Sequence, residues 1–136
     1  MRFITLMLIF SWSSYSAETK WPIKIEEPIK VLSKSIDPAK QSQMELTIGH
    51  NNLASLYNAK LKIMYFEILT SLSKDAEIER FRSEQEDWLK KRKSSVIEIS
   101  KGPGSIKPML AAIEYIEITK KRISTLEKLH TSRGEF

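Results

Sequence analysis

Apolar residues recur along this chain in three long stripes whose steps of three and four match the period of an α-helix. The first runs through Met44, Ile48, Leu53, Leu56, Tyr57, Leu61, Met64, Tyr65, Ile68 and Leu72. The second holds Ile78, Phe81, Gln85, Trp88, Arg92, Val96 and Ile99, so two of its members are polar. The third holds Ile106, Met109, Leu110, Ile113, Ile116, Ile123, Leu126 and Leu129. Asp37-Pro38 reads as the first helix's start, with Asp at the N-cap and Pro at the first helical position. Gly49-His50-Asn51-Asn52 is a weak stretch in that helix and a place for a kink. Ser73-Lys74-Asp75 forms the next turn, with Asp75 as a simple cap because Ile78, not Glu, follows three residues later. Lys101-Gly102-Pro103-Gly104 ends the second helix, Ser105 caps the third, and Pro108 falls in its first turn. Three amphipathic helices on short loops must bury their stripes together. The expected fold is all-α: a small antiparallel three-helix bundle over residues 37–130.

The segments on either side read differently. Residues 17–36 carry Pro22 and Pro28 among Ile23, Ile25, Ile29, Val31 and Leu32, with partial alternation. Two prolines so close oppose a long helix, so an extended arm is expected, with Trp21 and the Ile/Val residues lying on the body. Residues 1–16 read as a secretory signal peptide. Arg2 starts it, Phe3–Phe10 forms an apolar run too short to span a bilayer, and Ser14 and Ser16 are small residues placed for a cut between Ser16 and Ala17. The expected location is periplasmic or secreted, with no transmembrane segment in the mature chain. Residues 131–136 read as a frayed tail.

Composition narrows the chemistry. The chain has 136 residues, no Cys and two His. That removes disulfide scaffolds, thiol nucleophiles, zinc ribbons and iron–sulfur sites, and no metal or cofactor site is expected. His50 and His130 are far apart and read as solvent-exposed. No nucleophile elbow, P-loop, dinucleotide loop or carboxylate pair of glycosidase type is present, so the expectation is a protein that is not an enzyme. The formal net charge of +5 falls to +4 once Arg2 is removed with the leader. This mild excess favours anionic partners. Thin aromatic interleaving, diluting Asp and Glu, and an export signal argue against nucleic acid.

Several motifs stand in a fixed order. Gln41-Ser42-Gln43-Met44 is followed by Leu61 and Tyr65, then Gln85-Glu86-Asp87-Trp88-Leu89-Lys90-Lys91-Arg92. Gly104-Ser105-Ile106-Lys107-Pro108-Met109 comes next, and Thr119-Lys120-Lys121-Arg122 with Leu126 closes the series. Together they resemble the LprI-like lysozyme-inhibitor domain family, whose pattern is Gln-x-x-Trp-x-x-x-Arg, Gly-Ser-x-x-Pro-Met and Thr-x-x-Arg-x-x-x-Leu. The resemblance spans about residues 37–129. It implies a small secreted or periplasmic helical domain with lysozyme inhibition as the founding activity. Family members usually carry Cys in each helical segment, and the matching positions fall near Thr47, Val96 and Glu114. Lost bridges cost about 2–5 kcal/mol in small secreted domains, which the apolar stripes must supply here.

Residue by residue, the motif positions Gln85, Trp88, Arg92, Pro108, Thr119 and Arg122 read as structural. Trp88 and Arg92 stand four apart and share a helix face, with the arginine laid over a core ring. Lys90, Lys91, Arg92 and Lys93 form the densest charge run, which reads chiefly as a solvated face. Lys101, Gly102, Gly104, Ser105 and Lys107, with the three lysines of that run, are the candidate partner-binding residues. A loop carrying a cation can enter a lysozyme's groove and pair with a catalytic carboxylate. The alternative is a periplasmic interaction module that binds another envelope protein or an anionic polymer. Vertebrate lysozymes are basic and repel a +4 protein at long range, so a neutral or acidic lysozyme is the easier target.

Overall fold

A computed structural model describes residues 24–133. The leader, its cut before Ala17, and Trp21 and Pro22 of the arm lie outside the described residues, as do residues 134–136. The described part is all-helical, with four helices: α1 Glu26–Ser35, α2 Gln43–Ser71, α3 Asp75–Ser100 and α4 Lys107–Arg133.

Helix α1 corrects the expected extended arm. Pro28 is its third residue, and the first turn of a helix has N–H groups that need no intrahelical acceptor. Glu26 and Glu27 add negative charge at the helix's positive end. Ile25 and Ile29 bury one face of α1 with Leu53 and Ala54 of α2 and Ile116 of α4. Val31 stays exposed on the opposite side.

The start of α2 also shifts. Asp37 opens a separate turn, in which its carboxylate accepts from the Ala39 N–H at 3.0 Å and its carbonyl from Gln41 at 3.1 Å. The helix begins after Ser42, in a capping box: the Glu45 N–H donates to Ser42 Oγ at 3.3 Å and the Ser42 N–H to Glu45 Oε2 at 2.7 Å. With the later start, Leu46 is buried, whereas Met44 and Ile48 of the expected stripe are exposed. The helix continues through Gly49–Asn52. A Cβ at Gly49 would sit 3.1 Å from Ile36 Cγ1, so glycine here lets the α1–α2 connection lie close against the helix.

Helix α3 begins one residue earlier than a cap at Asp75 implies. Lys74 is its N-cap without a side-chain bond, and Asp75 is its first residue. At the other end, α4 continues through Thr131–Arg133, where a frayed tail was expected, and Arg133 Nη2 reaches Glu77 Oε2 of α3 at 3.6 Å.

Helix α4 is the centre of the assembly, since both α2 and α3 pack on it. The main core joins Leu61, Ile68 and Leu72 with Phe81 of α3 and Ile123 and Leu126 of α4. On α4 the buried face includes Ala111, Ala112 and Thr119, while Ile106 and Leu110 of the expected stripe are exposed. Small residues there let the helices approach. Lys60 ties three helices: its ammonium lies 2.9 Å from Glu26 of α1 and 3.1 Å from Glu127 of α4.

Candidate functional site

The two polar positions in the α3 stripe are buried. Gln85 and Arg92 are 7% and 8% exposed, and Thr119, facing them from α4, is fully covered. Burial of a cation requires compensation, and Arg92 receives it without a carboxylate. Its Nη1 donates to Thr119 Oγ1 at 3.0 Å and to Asn58 Oδ1 of α2 at 3.2 Å. Its guanidinium lies 4.7 Å from the Trp88 ring centroid and 4.0 Å from that of Tyr115. The Thr119 hydroxyl in turn donates to the Tyr115 carbonyl at 2.6 Å. Burial pushes the Arg92 guanidinium below its ordinary value and the Tyr115 phenol above its own, each group partly opposing the other's shift.

Two turns back along α3 from Arg92, Gln85 Oε1 accepts from Arg122 Nε at 3.0 Å. Arg122 lies 5.8 Å from the Trp88 ring, and its Nη2 is buried with no acceptor among the described residues. Burial lowers its pKa, against the pull of Glu84. Trp88 is half-buried and packs against the main core, so it is flanked by two arginines rather than one. Gln85, Trp88, Arg92, Thr119 and Arg122 therefore form a single cluster between α3 and α4. Asn58 and Tyr115 complete it and were not singled out from the sequence. Arg92 departs from its neighbours: Lys90, Lys91 and Lys93 are exposed, as a solvated face requires.

The α3–α4 connection holds the other candidates. Gly102 and Gly104 have φ of 87° and 131°, conformations in which a side chain is strained. Pro103 separates them, and the whole segment from Lys101 to Ile106 is exposed. Lys101 is paired with Glu98 at 2.6 Å and Lys90 with Asp87 at 3.3 Å. Lys107, the first residue of α4, has no ion-pair partner among the described residues and is half-buried. Ser105 lies in the turn before α4, and its hydroxyl bonds to no described residue. Pro108 is the second residue of α4. It lines a cavity of about 390 Å³ with Asn51, Val96, and Asn58 and Tyr115 of the Arg92 cluster. His50, expected in solvent, is half-buried with Nδ1 2.8 Å from the Leu46 carbonyl. Among the described residues, no three His, Asp or Glu converge as a metal site would need, and no helix is long and apolar enough to cross a membrane.

Residues 36–126 match the family described as lysozyme inhibitor LprI. The chain belongs to this family. No curated protein and no solved structure matches it. The LprI match takes in all of α2 and α3 and most of α4, with the whole Arg92–Arg122 cluster and the glycine loop. It leaves out α1, Glu26–Ser35. The family cysteine position implied near Val96 is a wall of the cavity here. The α3–α4 clamp is held by arginine, amide and hydroxyl groups.

Proposed function

We propose that this LprI-family protein is an exported lysozyme inhibitor, a binding protein and not an enzyme, whose glycine loop enters the target's substrate groove. The observation that carries the reading is the exposed Gly102-Pro103-Gly104 segment between two helices clamped to each other. Pro103 limits the loop's motion and so reduces the ordering cost of binding. The clamp supports the expected antiparallel placement: partners on α3 descend through Arg92, Gln85 and Glu77 as those on α4 ascend through Thr119, Arg122 and Arg133. Lys107 and the free N–H groups at the start of α4 supply positive charge beside the loop.

The pairing of Lys101 with Glu98 and Lys90 with Asp87 lowers the local excess of positive charge. This favours one carboxylate in a protein groove over a polyanion as the partner. Export follows from the leader read in residues 1–16, with the mature chain starting at Ala17.

The test is clearing of a cell-wall suspension by basic, neutral and acidic lysozymes, with and without the full mature chain. Inhibition is expected, strongest for a neutral or acidic enzyme because net charge then no longer opposes encounter. Absence of inhibition across all three charge classes would overturn the reading.

A further inference from the structure

Helices α2 and α3 lean mainly on α4 rather than on each other. Between them lies a groove of about 500 Å³, within the size range of small-molecule sites. On α3 its residues end at Arg92, eight residues before Ser100 and on the order of 12 Å from the loop along the helix axis.

The groove has an apolar wall and a donor-rich base. Phe66 is 57% exposed and Leu89 39% exposed, and both line it, with Tyr65 at 5.4 Å from the Phe66 ring. At the base stand Arg92 and Gln85, each more than nine-tenths buried. Both have donors to spare. Arg92 uses only Nη1 toward described residues. Gln85 accepts from Arg122 through Oε1, so its amide N–H₂ is the free end. Lys62, also in the wall, has no carboxylate partner among the described residues, whereas Arg82 is paired with Glu79 at 3.4 Å. Glu86 is the acid at the rim. Unused donors on a buried guanidinium and the amide beside it call for an acceptor with negative charge, and the exposed Phe66 ring and Leu89 call for an apolar body next to it.

We infer that this groove binds a small amphipathic carboxylate, an acid with a short aryl or alkyl tail. Its carboxylate takes the free N–H groups of Arg92 and Gln85, and its tail lies on Phe66 and Leu89. The site is separate from the loop and does not rest on lysozyme inhibition, which is read in a different assay.

The experiment is isothermal titration of the full mature chain at neutral pH with 4-phenylbutyrate, and with 4-phenylbutan-1-ol and 4-phenylbutylamine as tail-matched controls. The acid should bind about tenfold or more tightly than the alcohol, and the amine not at all. Gln85→Glu keeps an acceptor for Arg122 but replaces the free amide donor with negative charge. It should weaken the acid about tenfold without lowering the melting temperature. Phe66→Ala, at an exposed ring, should weaken the acid several-fold and leave the fold intact, so it decides the matter should Gln85→Glu unfold. Equal binding of acid and alcohol, wild-type binding by a folded variant, or no binding at millimolar acid would overturn the inference. Binding of a blocked Gly-Phe-Asp-Gly peptide in place of the acid would overturn it too, and would assign the groove to a protein partner.

Discussion

Arg92 of α3 donates to Thr119 of α4 at 3.0 Å in a site where the threonine is wholly removed from solvent. A buried guanidinium thus rests on a neutral hydroxyl, an amide and two aromatic faces, with no carboxylate to neutralise it. Each acceptor is hard to spare, because a buried donor left unmade carries its full desolvation cost.

Thr119→Val keeps the side-chain shape and removes that acceptor. It should lower stability by about 1–3 kcal/mol, seen as a shift of the denaturant midpoint with unchanged slope. Thr119→Ser restores the hydroxyl and should recover most of the loss. Equal stability of the Val and Ser variants would show that the bond contributes nothing.

Trp88 lies against both Arg92 and Arg122 and packs on the main core while remaining half-buried. Trp88→Ala removes apolar contact and two cation–π partners, each worth about 0.5–2 kcal/mol. Full burial would put the loss at about 3–5 kcal/mol, and partial burial places it near the lower end, about 3 kcal/mol. Trp88→Phe keeps a ring and should cost far less in the same unfolding titration. A negligible midpoint shift for Trp88→Ala would reject the structural role.

Helix α1 is held partly by charge. Burial alone would push the Lys60 ammonium down, but hydrogen bonds and attraction from Glu26 and Glu127 outweigh it and hold its pKa above the ordinary 10.5. A cation with a raised folded-state pKa stabilises fully below its unfolded value. That contribution is lost as pH rises from about 10.5 through the folded value. Amide exchange in Glu26–Ser35 should therefore lose protection above that pH, after correction for base-catalysed intrinsic exchange. Lys60→Met should remove the pH dependence and lower the protection of α1 at neutral pH. Protection that stays pH-independent in the wild-type chain would exclude the ion pairs as the tie.

Much of this was legible in the sequence, for reasons visible in particular residues. The apolar stripes located α2, α3 and α4, and two polar members inside the second stripe, Gln85 and Arg92, marked the buried cluster. Pro22 and Pro28 hid α1, because a proline count ignores position: Pro28 sits in a first turn, where it removes no bond. Asp37-Pro38 reads as the start signal, and Ser42-x-x-Glu45, the capping box that forms, was missed. Met44, Ile48, Ile106 and Leu110 fit the helical period, but the faces that bury there are those of Leu46 on α2 and of Ala111 and Ala112 on α4. Asn58 and Tyr115 carried no local signal, since their role depends on Arg92 arriving from another helix. The α2–α3 groove was equally hidden, because it arises from both helices choosing α4 as their main partner.

The loop makes a sharper prediction now that its charges are placed. Lys101 and Lys107 were equivalent flanking cations in the sequence. In the structure Lys101 is held by Glu98 at 2.6 Å, while Lys107 has no carboxylate among the described residues and stands at the start of α4. A lysine already paired gives less to an incoming carboxylate than a free one, because its existing partner must be displaced. Lys107→Glu should therefore weaken inhibition about tenfold, on the order of 1.4 kcal/mol, and Lys101→Glu clearly less. The charge reversal also places a favourable acid in the first turn of α4, so helicity should not fall. Lys24→Glu with Lys30→Glu carries a larger change of net charge away from the loop and should do less than Lys107→Glu alone. Clearing assays on the three proteins at low and physiological salt separate the cases. If the Lys24/Lys30 pair matches Lys107→Glu at both salts, net charge alone governs encounter and the loop has no special part in binding.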